Sequence, residues 1–224
     1  MRYPGGKGKC YQRLINLMPR HHTYIESHLG GGAVLRNKLP AERNIGIDVD
    51  PKVISTWEAE CVGLYELIKA DALGFLKSFA YDGGELIYVD PPYLPSTRRR
   101  RRVYTYDYSE EQHEELLSLL VSLPCMVMLS GYDSELYRDR LLGWRKVTFS
   151  AKTHADVREE CVWMNFPVPH VLHDARHVGE TYRERQTINR RRTRIHERIS
   201  RMEVTERNEL IKWIHETYIS TGAI

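Results

Sequence analysis

The fold is decided by the stretch Leu86-Ile87-Tyr88-Val89-Asp90-Pro91-Pro92-Tyr93. Its first four residues are apolar, β-branched or aromatic, which is typical of a short buried strand. The two prolines end that strand, because neither has a backbone N–H to donate to a neighbouring strand. Asp90 is therefore predicted at the carboxyl end of a strand, where open α/β sheets bind their ligands.

Length and composition are those of a globular protein. The 224 residues, 42% hydrophobic and 28% charged, fit one α/β domain with a modest appendage. No apolar run approaches the roughly 18–20 residues that span a bilayer, and residues 1–7 have no apolar signal core, so we expect a cytoplasmic protein without membrane contact. The cysteines Cys10, Cys61, Cys125 and Cys161 form no Cys-x-x-Cys pair, so we expect free thiols and no metal site.

Positive charge is concentrated in two clusters, although the net charge is only +3. Residues 98–102 are five consecutive arginines, and residues 183–201 contain eight more with two acids. Both clusters favour a polyanionic partner such as nucleic acid, with a mobile loop and a solvated helix face as the alternatives. Tyrosines follow the first cluster, and interleaved basic and aromatic residues suit phosphate contact with base stacking. We assign nucleic-acid contact to Arg98, Arg99, Arg100, Arg101, Arg102, Tyr104, Arg190 and Arg191.

Strands and helices alternate along the chain. We predict strands at residues 24–28, 44–48, 64–70, 86–89 and 125–129, each followed by a helix. This alternation predicts a doubly wound, mostly parallel sheet. Asp48, Asp71 and Asp90 each follow a strand, and three glycines, residues 30–32, follow the first strand. One such acid alone would be a helix cap or a turn residue, but together they indicate a shared ligand crevice.

The glycine turn and Asp48 have the spacing of a nucleotide site. Asp48 lies 18 residues after Gly30, close to where dinucleotide-binding folds place a carboxylate on ribose hydroxyls. Asp50 competes for that role, but Asp50-Pro51 fits the cap and first position of the next helix. The literal G-x-G-x-x-G is absent, so the spacing alone is a weak signal.

The end of the chain differs from its start. Residues 144–149 and 160–166 are predicted to pair as antiparallel strands around a polar loop at 152–158. Beyond Pro167-Val168-Pro169 the sequence is basic and helix-prone, with a second amphipathic helix at 206–219. We therefore expect an α/β domain over residues 1–167 and a basic helical extension over 168–224. Monomer and dimer both stay open, because the extension could pair with a second copy or fold back.

Four segments resemble, in their order, the alpha-group DNA adenine-N6 methyltransferases of the DNA adenine methylase family. They are Gly5-Gly6-Lys7, residues 26–34, Asp48, and Asp90-Pro91-Pro92-Tyr93. The resemblance covers about residues 1–166 and implies a Rossmann-like class I methyltransferase fold, S-adenosylmethionine as cofactor and DNA as substrate. It implies that Lys7 meets the cofactor carboxylate, Asp48 its ribose and Asp71 its adenine, although Lys7 could be a surface charge and Asp71 a cap. The implied cofactor residues are Tyr3, Lys7, Glu26, His28, Gly30, Gly32, Asp48 and Asp71.

The resemblance also implies the catalytic residues Asp90, Pro91, Pro92 and Tyr93, and no metal. The adenine N6 lone pair is delocalised into the ring, so the amine is a poor nucleophile. The Asp90 carboxylate and the Pro91 carbonyl would accept its two N–H groups and stabilise the charge that develops. A base in a duplex must first be flipped out, at a cost of a few kcal/mol, and Tyr93 would then stack on it.

Two departures from the family pattern carry expectations of their own. Ser27-His28 stands where the family usually has Pro-Phe, so we expect altered cofactor affinity and pH dependence. Only 18 residues separate Asp71 from Asp90, which leaves no room for the usual target-recognition domain. We therefore expect short or relaxed specificity, with phosphates held by residues 94–108, 152–158 and 183–201. Two alternatives stay open: methyl transfer to RNA adenine or to cytosine N4, and an inactive nucleic-acid-binding protein.

Overall fold

The structure is a computed structural model that describes residues 7–8, 10–98, 105–152 and 157–219. Its sheet consists of β1 Thr23–Glu26, β2 Arg43–Asp48, β3 Glu66–Lys69, β4 Glu85–Val89, β5 Met126–Gly131, β6 Arg145–Lys152 and β7 Val157–Met164. The strand order is β3-β2-β1-β4-β5-β7-β6, and β7 runs antiparallel to both of its neighbours. The predicted doubly wound, mostly parallel sheet with an antiparallel ending is confirmed.

Eight α-helices surround or follow the sheet in the described residues. They are α1 Tyr11–Ile15, α2 Ala33–Asn37, α3 Pro51–Glu60, α4 Ala72–Ser78, α5 Glu110–Ser122, α6 Glu135–Arg140, α7 Tyr182–Ser200 and α8 Val204–Ile214. Side-chain caps fix several starts: Asp50 accepts from Lys52 N, and Ser109 forms a reciprocal capping box with Gln112. In these ranges no helix is both long and apolar enough to cross a membrane.

The hydrophobic core lies on both faces of the sheet. All five residues of β4 are buried, because a central parallel strand is covered on both sides. Tyr24, Trp57 and Tyr88 pack on one face, and helix α5 covers the other. All four cysteines are buried and free, which confirms that expectation.

Residues 172–178, which we call the strap, attach the C-terminal extension to the domain. Leu172 forms a β-bridge with Pro19, and His173 N donates to Met18 O at 3.0 Å. Asp174 is fully buried and accepts from Leu39 N at 3.0 Å. Met18 and Pro19 precede β1 and Leu39 precedes β2, so the strap lies at the edge where the parallel strands begin. Beyond the strap, α7 and α8 contribute no buried residue.

Candidate active site

A pocket opens at the carboxyl ends of the parallel strands, whereas the strap lies at their amino ends. Its lining includes six of the predicted site residues: His28, Gly30, Asp48, Asp71, Asp90 and Pro92. Tyr106 and Tyr108, which precede α5, line the same pocket. The crossovers of a doubly wound sheet bring these strand ends to one side. The expected cofactor side and the expected catalytic side therefore share one cavity.

The glycine turn after β1 is held in place from two directions. Gly30 has a φ of 44° and Gly32 a φ of 53°, a region that favours glycine. Gly30 N donates to Asp48 Oδ2 at 2.8 Å, and Trp57 Nε1 donates to Gly30 O at 3.0 Å. The other Asp48 oxygen accepts from Asp50 N at 2.9 Å. Asp48 is thus fixed beside the turn, and burial raises the pKa of its carboxyl.

Glu26 and Gly32 lie behind the pocket and support it. The Glu26 carboxyl accepts hydrogen bonds from Tyr24 OH and from Leu35 N, both at 3.0 Å. Burial raises its pKa to about 8. Gly32 packs against the ring of Trp57. Neither residue lines the pocket, and the cofactor contact expected of both stays a prediction.

His28 lines the pocket as a neutral imidazole. Its Nδ1 lies 3.0 Å from Ser27 Oγ and its Nε2 lies 3.1 Å from Tyr108 OH. Burial, with a contribution from His113, lowers the pKa of His28 to about 3. His28 therefore stays uncharged near neutral pH, so the pH dependence expected from it does not fall in that range.

Asp71 is a helix cap that also lines the pocket, and its contact with the cofactor adenine stays a prediction. Its carboxylate caps α4 by accepting from Gly74 N at 2.8 Å. The same residue lies at the exposed rim of the pocket. A cap that uses one carboxylate oxygen leaves the other free to face a ligand.

Lys7 sits in a buried charge cluster beside the strand end of β4. Its side chain is only 5% exposed, and its Nζ lies 2.9 Å from Asp90 Oδ1 and 3.6 Å from Glu160 Oε2. The ammonium also donates to the Tyr93 hydroxyl. Burial alone would lower the pKa of Lys7, but Asp90 and Glu160 together raise it well above its ordinary value. Lys7 is therefore a buried cation held by two carboxylates, and it does not line the pocket.

Glu160 is the site residue that the sequence did not indicate. It lies on β7, whose antiparallel direction brings it to the carboxyl end of β5, because Cys161 pairs with Gly131. Burial and the nearby Asp90 charge raise the pKa of its carboxyl, and Lys7 partly offsets this. A glutamate inside a strand, 70 residues from Asp90, carries no local motif that could have identified it.

Tyr93 is covered in this structure. Its side chain is 6% exposed, and its ring meets that of Tyr132 edge-to-face with centroids 4.5 Å apart. With its hydroxyl bonded to Lys7, the ring does not present an open face to the pocket. The stacking role expected for Tyr93 would require these contacts to rearrange.

Arg98 departs from the expectation of a phosphate contact. Its side chain is 3% exposed and pairs with both carboxylate oxygens of Asp107, at 2.8 and 2.6 Å. Its Nε also donates to the backbone oxygen of Tyr93. This buried, bidentate arginine links the turn after β4 to the segment before α5. The other expected contacts in this region, residues 99–102 and Tyr104, lie outside the described residues, as does Tyr3, whereas Arg190 and Arg191 are exposed on α7.

The pocket offers polar groups that suit a nucleoside-like ligand. Asp90 Oδ1 is buried and lies within ion-pair distance of Lys7, and among the described residues it accepts no well-aligned hydrogen bond. Asp48 adds a second carboxylate next to a glycine turn, a combination that fits ribose hydroxyls. No group of three potential metal ligands occurs in the described part of the chain.

Comparisons with known proteins add the following findings. No family model matches the chain, and no curated protein matches it. Among solved structures, it is similar to the 23S rRNA methyltransferase ErmE, with 11% identity, 84% of each chain covered and a TM-score of 0.48. An rRNA methylase from Streptococcus thermophilus is 11% identical with a TM-score of 0.47, over 73% of this chain and 97% of that chain. Magnesium protoporphyrin IX methyltransferase from Synechocystis PCC 6803, with bound SAM, is 14% identical with a TM-score of 0.45, over 70% of this chain and 80% of that chain. Likenesses of this size carry no inference about substrate.

Proposed function

We propose that the protein transfers a methyl group from S-adenosylmethionine to the N6 amine of a flipped-out adenine in DNA. The observation that carries the proposal is the single pocket that joins Gly30 and Asp48 to Asp90 and Pro92. Methyl transfer needs a donor and an acceptor in one line, and a shared cavity at the strand ends provides that arrangement. The resemblance of the Asp-Pro-Pro-Tyr turn supports adenine as the acceptor.

The cofactor would be held on the side of the pocket that the glycine turn forms. Gly30 offers close backbone approach, and the fixed Asp48 carboxylate has lone pairs left for ribose hydroxyls. When bound, S-adenosylmethionine supplies a sulfonium methyl group that is already activated for transfer. The protein's own task is then to orient the acceptor nitrogen and to stabilise the charge that forms on it.

Asp90 would do that by accepting a hydrogen bond from the adenine amine. Its Oδ1 is buried, and burial raises the pKa of this carboxyl, while Lys7 and Tyr93 next to it lower that pKa. Lys7 lies 2.9 Å from the same oxygen and would compete with the amine. Glu160 Oε2 lies 3.6 Å from Lys7 Nζ, so the ammonium would still have a carboxylate partner while Asp90 bonds to the substrate.

Relaxed specificity follows from what lies between Asp71 and Asp90. That stretch contains α4 and β4 and a short turn, so it holds no separate recognition domain. DNA contacts would then rest mostly on phosphates, which fix position but carry little sequence information. We therefore propose DNA as the partner, bound mainly through its phosphates.

The decisive experiment measures transfer of a labelled methyl group to duplex DNA, single-stranded DNA and RNA, followed by sequencing of the methylated positions. We expect N6-methyladenine in duplex DNA at many short sites. Asp90→Ala should abolish transfer while S-adenosylmethionine still binds, because Asp90 faces the acceptor side; Asp139→Ala, on the exposed surface of α6, is the matched control.

Other outcomes would redirect or reject the proposal. Transfer to RNA alone, or to cytosine, would replace the DNA assignment by the corresponding alternative. Activity that survives Asp90→Ala would remove Asp90 from catalysis. Cofactor binding that cannot be detected for the wild type would support an inactive nucleic-acid-binding protein instead, and one long unique target would contradict relaxed specificity.

A further inference from the structure

The seven arginines of helix α7 and its C-cap residue Arg201 lie on two opposite sides of the helix. At 3.6 residues per turn, six of them fall within an arc of about 100°. These six, which we call the arginine face, are Arg183, Arg190, Arg191, Arg194, Arg198 and Arg201. All six are exposed, whereas Arg185 and Arg192, on roughly the opposite side of the helix, are half-buried.

The two opposite arginines fasten the helix to the strap region. Arg185 donates to the backbone oxygens of Gly179 and Glu180, at 3.1 and 3.0 Å. Arg192 donates to the backbone oxygen of Ala175 at 3.1 Å. One side of α7 is therefore used for attachment, and the arginine face points away from it.

The arginine face lacks acidic partners within the described residues. There, the arginines in ion pairs are Arg36, Arg43, Arg98, Arg138, Arg140 and Arg176, and none of them belongs to α7. Like charges on one helix face destabilise the helix, since neighbours three and four apart repel each other. Six arginines in a row without an ion pair to the described residues are electrostatically suited to an external polyanion.

We propose that the arginine face of α7 is a second DNA contact, remote from the pocket, that grips the phosphate backbone of a duplex. The face extends about 27 Å at a rise of 1.5 Å per residue. That length matches about eight successive phosphates of one strand of B-form DNA. The inference rests on the proposed function, which makes DNA the substrate.

The place of attachment makes this contact remote. The strap holds α7 at the edge where β1 and β2 begin, whereas the pocket lies where they end. A long duplex seated over the pocket offers more phosphates to the arginine face than a short one does. The face therefore raises the local concentration of long DNA without taking part in the methyl transfer.

The test measures binding of the full-length protein to a long duplex as the salt concentration is varied. We expect the triple variant Arg191→Gln, Arg194→Gln, Arg198→Gln to reduce the slope of log K against log salt by about 2.7, at about 0.9 per lost phosphate contact. The matched variant with lysine at the same three positions keeps the charge and should keep the slope. These side chains are exposed, so both variants should fold, which circular dichroism would verify.

Substrate length provides the second readout. For the glutamine variant, the KM for long duplex DNA should rise towards the KM for a short duplex, which offers the arginine face fewer phosphates. An unchanged slope, or an equal loss of affinity for short and long DNA, would overturn the inference. The binding measurement does not depend on methyl transfer. If the glutamine variant lowers the slope but the wild type does not methylate DNA, the DNA contact at the arginine face stands and the proposed activity is rejected. If the wild type methylates DNA but the glutamine variant leaves the slope unchanged, the activity stands and the contact is rejected.

Discussion

Glu26 carries a carboxyl group into a site that water does not reach, directly below the glycine turn. Its folded-state pKa of about 8 lies well above the ordinary 4.5, because burial penalises the charged form. An acid whose pKa is raised by folding stabilises the folded state fully at pH values below the pKa that the group has in the unfolded chain. That contribution is lost as the pH rises from about 4.5 through 8.

We therefore predict that wild-type protein loses stability between pH 5 and pH 8 relative to Glu26→Gln. Glutamine keeps an acceptor for Tyr24 OH and Leu35 N but cannot ionise. The difference should reach a few kcal/mol, since each pKa unit corresponds to about 1.4 kcal/mol. Urea unfolding of both proteins at several pH values measures it. Parallel pH profiles for the two proteins would mean that Glu26 is already ionised in the folded state.

Single residues were predictable from the sequence where they stand in a local motif. Asp48 and Asp90 follow strands directly, and both line the pocket as expected. The partners of Lys7 were not predictable, because Glu160 and Lys7 meet only once the antiparallel β7 is placed beside β5. Arg98 was misplaced for the same reason: its bond to Asp107 depends on how the chain returns to α5.

At the scale of elements, the turn between β1 and α2 is fixed by one glycine. A Cβ at Gly32 would lie 2.0 Å from the Trp57 ring, far closer than atoms can pack. Trp57 cannot easily yield, because it is fully buried and its Nε1 donates to Gly30 O. The same substitution also places alanine in the left-handed region, at a φ of 53°.

Gly32→Ala should destabilise the protein by about 2–4 kcal/mol, from backbone strain of about 1–2 kcal/mol plus displacement of Trp57. Gly63 is the matched control, since its φ is 71° but no atom lies within 4 Å of a Cβ placed there. Gly63→Ala should cost only the backbone strain. Chemical denaturation of both variants compares them, and equal losses would show that Trp57 adapts to the methyl group without cost.

The elements themselves were largely readable from the sequence, because their ends carry explicit signals. Asp50 and Asp71 were weighed as caps, and each accepts a backbone hydrogen bond at the start of its helix. The strap had no such signal. Its bonds run to residues more than 130 positions away, and no helical or strand periodicity reports a contact of that separation.

At the scale of the whole molecule, Asp174 joins the extension to the domain. Its fully buried carboxylate accepts from Leu39 N, and the Arg176 guanidinium donates to it at 2.9 and 2.7 Å. Burial would raise its pKa, but the hydrogen bonds from Arg176 dominate and lower it to about 2. A depressed pKa gives stability above the ordinary 3.8, and this is lost as the pH falls towards 2.

Asp174→Ala should release the strap, because Leu39 N loses its acceptor and Arg176 loses its ion-pair partner. The free energy of unfolding should fall by about 1–3 kcal/mol. Amide hydrogen exchange at His173 and Leu39 should accelerate, and proteolysis within residues 170–181 should increase. Asp133→Ala, which removes only exposed ion pairs, should cost no more than about 1 kcal/mol. Unchanged protection at His173 would show that the strap is held by its other contacts.

The sheet separates the two proposed DNA contacts by a rigid length. Its central strand, β4, has five residues and so extends about 17 Å at 3.3 Å per residue. A duplex that is methylated beyond one end of the strands and gripped beyond the other must extend at least that far from the modified adenine. The grip contacts phosphates and selects no sequence, but adenines close to one end of a linear duplex cannot be held at both contacts and should be methylated less than adenines in its interior.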